Sequence, residues 1–244
     1  MKITYERDTL LKNLLSPISK VAENCILVLN SKNTYCVVTS SDGGIVLYAQ
    51  IDAINDEIKT EITLNVPNIK RFLQVFDCIE DPFIELNIES NHLAYESPEI
   101  KFKYFLLDNG VIETPPIKID KIDALKFNFE FNISSEMLAT ILKGSIFTSD
   151  TNKIYFYSKD NKVFGELTDQ ATQNSDSLTF QIADVFTGSD LKQVLPINMD
   201  IIRLIGSIKT KNIKVSVNTE NRVLLFEISG IDYKLKFIVS SLVK

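Results

Sequence analysis

Most of the sequence alternates between apolar and polar residues with a period of two. The alternating segments are rich in Ile, Val, Phe, Tyr and Thr, a composition that is typical of half-buried antiparallel strands. This pattern predicts strands along most of the chain, and ten of them lie at residues 25–29, 34–39, 45–51, 83–88, 100–106, 154–158, 163–167, 213–217, 223–228 and 233–239. A chain patterned in this way folds mainly into antiparallel sheets that bury one face.

Four segments depart from this alternation and space their apolar residues as a helix does. They cover residues 7–15, 66–78, 135–147 and 199–208. The first of these helices should stop at Ser16-Pro17, because a proline cannot extend a helix. The residues that can cap the other three are Asn65, then Ser134 or Ser135, and then Asn198.

The order of predicted elements repeats along the chain. A helix, four strands, a second helix and three strands occur twice, and short matches such as residues 101–106 with residues 234–239 accompany the repeat. Between the copies lies Pro115-Pro116, which cannot continue a central strand. We therefore predict an α+β chain of two duplicated domains, residues 1–110 and 126–244, joined by a connector at residues 111–125.

The composition argues against catalysis. His92, which we place in a turn, is the single histidine of the 244 residues, so a site with several imidazole ligands cannot form. The eight glycines form no phosphate-binding loop. The three cysteines contain no C-x-x-C pair, as expected of a reducing compartment. The single histidine and the missing motifs predict a non-enzymatic protein with no cofactor and no metal. Because no apolar run is long enough to span a bilayer, the sequence also predicts a cytoplasmic protein without membrane association.

The charges are unevenly distributed. The net charge of −6 does not suggest nucleic-acid binding, yet most of every predicted helix lies in a window without Asp or Glu. These windows are residues 9–22, 62–76, 137–149 and 201–219. One interpretation is that the lysines simply lie on the solvent-facing sides of amphipathic helices and keep the protein soluble. We favour the other, a positive helical surface facing a phosphate backbone, because solubility alone is served equally by Glu.

Short segments of the sequence resemble the DNA polymerase sliding clamps, specifically the trimeric clamps of tailed bacteriophages. The run from Asp8 to Asn13 is similar to the first helix of that family, and Ser135-Glu136-Met137-Leu138 to the third. Ile197-Asn198-Met199 resembles the entry to its fourth helix. The closing residues 235–239 are similar to the last strand of clamps of the proliferating-cell-nuclear-antigen type.

The resemblance implies a head-to-tail homotrimer that encircles double-stranded DNA without reading its sequence. Four helices per chain would line the ring, with the antiparallel sheets outside. The ring would tether the replicative DNA polymerase as a processivity factor, and an ATP-dependent clamp loader would open it. If the protein is phage-encoded, this happens in the host cytoplasm. The DNA-facing candidates are Lys12, Lys20, Lys70, Arg71, Lys143, Arg203 and Lys209.

Partner peptides of this family insert apolar anchors beside the connector and the C-terminal strand. Carried onto this chain, the resemblance implies a pocket containing Ile117, Ile119 and Ile238, with Ile45 and Leu47 as weaker candidates that are equally well explained as core residues. It also implies that residues 100–107 pair with residues 177–185 of a neighbouring chain, since an unpaired strand edge must be covered or used.

Two other functions compete with the clamp. A virion structural protein would also suit a duplicated β-rich chain, but it leaves the acid-free helices unexplained. A small-molecule-binding or hydrolytic β protein is the weaker alternative, because the sequence carries no catalytic motif.

Overall fold

The chain forms two compact units, each with its own core. The computed structural model describes residues 1–53, 58–115, 119–148, 152–170, 172, 175–191 and 193–242. The first unit contains Met1–Asp123 and Ser229–Lys236, and the second contains Ala124–Ile228 and Phe237–Lys244. The domain boundaries predicted at residues 110 and 126 stay a prediction.

The first unit begins with a strand that leads directly into a helix. Its helical elements are a π-helical segment at Thr9–Leu15, α1 (Ser16–Val21), α2 (Ile69–Asp77) and α3 (Ile119–Asp123). Its strands are β1 (Lys2–Glu6), β2 (Cys25–Leu29), β3 (Asn33–Thr39), β4 (Ile45–Asp52), β5 (Ile62–Val66), β6 (Phe83–Ile88), β7 (His92–Glu96) and β8 (Lys101–Phe105).

The second unit repeats this arrangement. Its helices are α4 (Ser135–Gly144) and α5 (Met199–Gly206). Its strands are β9 (Phe129–Ser134), β10 (Lys153–Lys159), β11 (Lys162–Leu167), β12 (Leu178–Ala183), β13 (Thr187–Gly188), β14 (Leu195–Asn198), β15 (Asn212–Asn218) and β16 (Val223–Ser229). The last strand, β17 (Tyr233–Ser240), has its first half in the first unit and its second half in this one.

Antiparallel strand pairing stabilises each unit. In the first unit, one sheet has the order β1-β6-β7-β8 and a second set of strands has the order β4-β3-β2-β5. In the second unit, the corresponding orders are β12-β11-β10-β14 and β13-β9-β15-β16. The register brings Val28 opposite Tyr35 and Ile154 opposite Leu167, so each strand presents alternate residues to the core.

Buried aromatic and aliphatic side chains fill each core. Phe72 and Phe76 of α2 are at most 1 % exposed in the first unit, and Phe129 and Phe156 are fully buried in the second. Burial of one such side chain contributes roughly 1.5–3 kcal/mol, so these phenylalanines fix each helix and strand to its own core. Among the helices that the structure describes, none is long and apolar enough to cross a bilayer.

The predicted α+β class and duplicated order of elements are confirmed. All ten predicted strands are present, each with ends within one residue of the prediction. Each unit adds a strand before its first helix, and the second also adds the two-residue β13. The placement of His92 in a turn was wrong, because this residue begins β7 and stands opposite Phe105 in register, with ring centroids 5.5 Å apart.

The first helix does not stop at Pro17, as the sequence had suggested, but continues to Val21. The turn before the proline is π-helical, and the Ser16 N–H bonds to the Leu11 carbonyl five residues back. Pro17 therefore stands in the first turn of α1, where its missing N–H costs little.

The cap of the second helix was also assigned to the wrong asparagine. Asn65 lies in β5 and is buried, and its side-chain amide donates to Asn109 Oδ1 at 2.8 Å. Asn68 caps α2 instead, since its Oδ1 accepts a hydrogen bond from the Arg71 N–H at 2.9 Å.

The third and fourth helices begin where the sequence predicts. Ser134 Oγ accepts from the Met137 N–H at 3.1 Å, and Asn198 Oδ1 accepts from the Asp200 N–H at 2.8 Å. These bonds satisfy amide groups that the first helical turn leaves unpaired. The short helix α3 was not predicted, because five residues are too few for a periodic pattern to emerge.

Candidate functional site

All seven cations proposed to face DNA have exposed side chains, and six of them lie on helices. Lys12 is in the π-helical segment, Lys20 in the last turn of α1, and Lys70 and Arg71 in the first turn of α2. The remaining three belong to the second unit, with Lys143 in α4, Arg203 in α5 and Lys209 just after α5. Each unit thus presents cations from both of its main helices.

Two of these cations are paired with a carboxylate of their own helix. Lys12 Nζ lies 2.6 Å from Asp8 Oδ2, and Arg203 Nη1 lies 2.6 Å from Asp200 Oδ1. Arg203 Nη1 also donates to Asn152 Oδ1 at 2.8 Å. Both carboxylates stand immediately outside the acid-free windows, so the windows overstate the positive charge available at these two positions.

Lys70, Arg71 and Lys143 carry the least compensated charge. Within the described parts of the chain, none of the three forms an ion pair. Burial raises the pKa of Tyr104, and both its hydrogen bond with Asn68 and the positive charge of Arg71 oppose that rise. The Arg71 guanidinium therefore influences the pKa of Tyr104, although the Arg71 side chain is exposed to solvent.

Lys20, although its side chain is exposed, is partly desolvated. Desolvation lowers its pKa, because burial disfavours the charged ammonium. Lys20 and Lys70 line one cleft of about 750 Å³ in the first unit. The other residues that line this cleft are Ser19, Val21, Ala22, Glu23, Asn24, Thr39, Ser41 and Asn68.

A second cavity, of about 300 Å³, lies where the start of the connector covers β2 and β3. Its connector wall is formed by the residues from Ile112 to Pro115, and Ile112 is only 8 % exposed. The opposite wall includes Cys25, Ile26 and Val37. The sheet side of this cavity also includes the polar Thr39, Ser40 and Ser41, so the cavity suits a peptide that brings an apolar side chain together with polar groups.

The pocket residues named from the sequence do not gather in this cavity. Ile117 lies outside the described residues, and Ile119 is described only by its backbone position in α3. Leu47 is fully buried in the first unit, and Ile238, in the second, is 9 % exposed. Ile45 is half-buried at the start of β4.

Sequence reasoning missed Ile112, the apolar residue that the structure places over the sheet. Its signal was the apolar pair Val111-Ile112 between the Asp108-Asn109-Gly110 turn and Pro115-Pro116. Ile112 stands next to Val111, and two adjacent apolar residues carry no periodicity that shows which one is buried, so only the fold could identify the contact.

The two strands predicted to pair between chains both lie at a sheet edge. β8 ends the order β1-β6-β7-β8, and β12 ends the order β12-β11-β10-β14 among the described strands. Phe105 in β8 is 61 % exposed. Their pairing across chains stays a prediction.

Solved structures with the same architecture cover the whole chain. PCNA from A. fulgidus, solved with the C-terminal region of FEN-1 bound, superimposes with a TM-score of 0.79 over 100 % of this chain and 98 % of its own, at 15 % identity. The fold is that of PCNA. PCNA from Entamoeba histolytica gives a TM-score of 0.74 at 15 % identity, covering 99 % of this chain and 98 % of its own.

PCNA from Thermococcus kodakaraensis gives a TM-score of 0.76 at 13 % identity, covering 99 % of each chain. No protein-family model and no curated protein matches the sequence. At these identities the PCNA likeness is carried by the order and pairing of the elements, not by shared residues. The PCNA fold was predicted from the sequence and is confirmed.

Proposed function

We propose that this protein is a non-enzymatic DNA sliding clamp. Three copies close head to tail into a ring around duplex DNA, and the ring tethers the replicative DNA polymerase after an ATP-dependent loader has opened it. The observation that carries the proposal is the full-length PCNA fold, with TM-scores of 0.74 to 0.79. The bacteriophage type stays a prediction that rests on the short runs at residues 8–13, 135–138 and 197–199.

The charge on the helices supports duplex DNA as the ligand. Exposed cations stand on the main helices of both units, and long flexible lysines can contact phosphates without a fixed geometry. Lys70, Arg71 and Lys143 are the strongest candidates for these contacts, because no carboxylate pairs with them in the described residues. Lys12 and Arg203 should contribute less, since their carboxylate partners compete with a phosphate.

Solution mass and DNA topology test the clamp. We expect a particle of three times 27.6 kDa at micromolar concentration, and a loader should retain it on circular DNA longer than on linear DNA, from which a ring slides off. A monomer that shows equal retention on both DNAs would contradict the ring. A stable trimer without any retention would leave the fold intact and reject the DNA function.

Charge reversal tests the helical surface separately. Lys70→Glu with Lys143→Glu places one reversed charge in each unit and should shorten retention on circular DNA, because each glutamate repels the phosphates it replaces. Lys32→Glu with Lys159→Glu makes the same change of net charge at exposed positions outside the helices. Equal effects of the two pairs would show that net charge alone governs retention.

The connector cavity is our candidate for the polymerase peptide. Val37→Lys places a charge in the cavity wall, and we expect it to abolish binding of an apolar polymerase-derived peptide in a direct titration. Val28→Lys is the matched control, because this half-buried residue lies outside the cavity on the neighbouring strand. Unchanged peptide affinity in a folded Val37→Lys protein would remove the cavity from the proposal.

The virion-protein alternative is not favoured. A capsid or tail protein has no need of cations on the helices of both units, whereas the PCNA fold accounts for the duplication.

A further inference from the structure

We propose that an acidic cavity in the first unit is a docking site for a basic peptide segment that carries an apolar anchor. The acidic cavity has a volume of about 360 Å³, and its lining includes Tyr5, Glu6, Asp52, Phe83 and Asp232. It shares no lining residue with the cleft at the helical lysines or with the connector cavity. The site is therefore separate from both surfaces that the clamp function uses.

The apolar part of the site is a phenylalanine ring that stays in solvent. Phe83, at the start of β6, is 62 % exposed, although it lines the same cavity as Tyr5, which is buried. Ile231, next to the lining residue Asp232, is 96 % exposed. Large apolar side chains left exposed around a cavity mark a surface that a partner stabilises by covering it.

Three carboxylates accompany the exposed ring. Glu6 stands opposite Phe83 in the β1–β6 register, so the two side chains lie side by side on one face of the pair. Asp52 and Asp232 are the other two, and no lysine or arginine belongs to the described lining. Residues 80–81, two further exposed acids, lead into Phe83. The negative charge therefore extends around the apolar part of the site.

The cations near the acidic cavity do not neutralise it. Lys2 Nζ lies 2.5 Å from Glu85 Oε1, and Arg7 Nη2 lies 3.4 Å from Asp77 Oδ1. The backbone of Lys32 adjoins the cavity wall, yet its ammonium forms no ion pair with any described residue. In the part of the chain that the structure describes, the carboxylates of the cavity are likewise free of ion pairs and available to a cationic partner.

The frame of the acidic cavity is fixed by hydrogen bonds within the first unit. The Asp52 N–H donates to the Asp232 carbonyl at 2.8 Å, which joins the end of β4 to the turn before β17. The Tyr5 hydroxyl and Thr34 Oγ1 form a buried hydrogen bond of 2.8 Å, which holds the Tyr5 ring in place. A preformed site of this kind costs little ordering when a peptide binds.

The charge decides between two possible occupants. A second copy of this chain would bring the same carboxylates against each other, and like charges across an interface repel. A segment with Lys or Arg on both sides of an apolar residue would place its anchor against Phe83 and its cations beside Glu6, Asp52 and Asp232. Basic segments of this kind are common in proteins that bind nucleic acid. That the partner works on the same duplex is the one step that rests on the proposed function.

The position of the acidic cavity is compatible with a closed ring. β1 and β8 end opposite edges of the order β1-β6-β7-β8. β8 is the strand predicted to pair with a neighbouring chain, whereas the cavity lies at the ends of β1 and β4 and the start of β6. A docked peptide therefore does not compete with the predicted contact at β8.

Fluorescence anisotropy with a labelled peptide tests the site on the full-length protein. The probe is Lys-Arg-Leu-Phe-Lys-Arg. One comparison peptide, Lys-Arg-Ser-Ser-Lys-Arg, lacks the apolar anchor, and the other, Glu-Asp-Leu-Phe-Glu-Asp, reverses the charge. We expect the probe alone to bind. Its affinity should fall as the NaCl concentration is raised, because salt screens exposed charges.

Two sets of variants separate the anchor from the charges. Phe83→Ser removes the apolar contact and should weaken probe binding about tenfold, whereas Phe83→Leu should retain most of the affinity. Asp52→Asn with Asp232→Asn should weaken binding about fivefold, since two exposed charge pairs are lost. This double variant should also make the affinity less dependent on NaCl.

The matched controls lie in the second unit. Phe147→Ser changes a phenylalanine that is also 62 % exposed. Asp176→Asn with Asp184→Asn makes the same change of net charge at exposed positions. Neither control should alter the affinity for the probe. Urea denaturation of Phe83→Ser should show an unchanged fold, because the ring that it removes is already in solvent.

Three results would overturn the proposal. Equal weakening by Phe83→Ser and Phe147→Ser would mean that the probe adsorbs to any exposed ring. Equal binding of the serine-containing peptide would mean attraction between charges without a docking site. A particle larger than the proposed trimer, reduced to a trimer by Phe83→Ser, would assign the cavity to a second copy of the chain. The titrations use neither DNA nor a loader, so their failure leaves the clamp function standing.

Discussion

Tyr104→Phe tests whether one hydroxyl fixes the start of α2. The ring of Tyr104 packs against Phe72 with centroids 4.6 Å apart, and the substitution preserves this contact. What it removes is the pair of hydrogen bonds between the hydroxyl and the Asn68 backbone. The change is therefore confined to polar interactions at the first turn of the helix.

The size of the expected destabilisation depends on which hydrogen bonds the Asn68 carbonyl and N–H keep after the substitution. The Asn68 carbonyl still accepts from the Phe72 N–H at 3.0 Å, so loss of the Tyr104 bond there costs about 1 kcal/mol. The Asn68 N–H loses its described partner, and because Asn68 is only half-buried, water recovers part of the roughly 1–3 kcal/mol that an unpaired amide costs. We expect the free energy of unfolding to fall by about 2 kcal/mol in total.

Urea denaturation measures this loss, and Tyr95→Phe is the matched control. Tyr95 is equally buried in the same unit, but its hydroxyl donates to an exposed carboxylate, Asp81 Oδ2, at 2.8 Å. Water can replace that partner, so the control should lose about 1 kcal/mol or less. Amide exchange at Asn68 and Lys70 should accelerate only in Tyr104→Phe. Equal losses in both variants, with no change in exchange, would refute the reasoning.

Two further predictions concern the second unit. Gly188→Ala should destabilise the protein far more than Gly43→Ala. Both glycines have a positive φ, +97° at Gly188 and +71° at Gly43. A Cβ at position 188, however, would lie 2.1 Å from the Asn128 carbonyl oxygen, whereas a Cβ at position 43 meets no described atom within 4 Å. Thermal unfolding of the two variants measures the difference, and a comparable shift in both would mean that φ strain alone decides. Lys214→Gln should make the free energy of unfolding fall less steeply as the pH is lowered. The Lys214 ammonium, 3.0 Å away, holds the pKa of Glu130 below its ordinary 4.5, so the stability it confers is present above pH 4.5 and is lost as pH falls through the lower folded value. Urea unfolding at a series of pH values from neutral to acidic measures this. An unchanged fall in the free energy of unfolding at acidic pH would show that the Lys214–Glu130 pair does not contribute to it.

The strands were predictable because each buries one face, and a period of two records that burial directly in the sequence. β5 and β14 escaped prediction because β5 ends in three consecutive buried residues and β14 begins with three, so neither shows alternation. Helix ends depend on single hydrogen bonds, which explains why Asn65 was mistaken for the cap that Asn68 provides.

The candidate site could be predicted only in outline. Acid-free windows mark the helices that carry exposed cations, yet they cannot show that Asp8 and Asp200 reach back to pair with Lys12 and Arg203. The cleft shared by Lys20 and Lys70 unites residues about 50 positions apart in the sequence, and only the packing of α1 on α2 brings them together.

The division of β17 between the units has a consequence for the order of folding. Ser229–Lys236 belongs to the first unit, although all of residues 124–228 separate it from Asp123. A ribosome must therefore synthesise almost the entire chain before the first unit can be completed, and closing so long a loop slows that final step. We expect a nascent chain released before residue 229 to contain all the helices but to keep its N-terminal half protease-sensitive, so premature termination would be detected as instability at the opposite end of the protein.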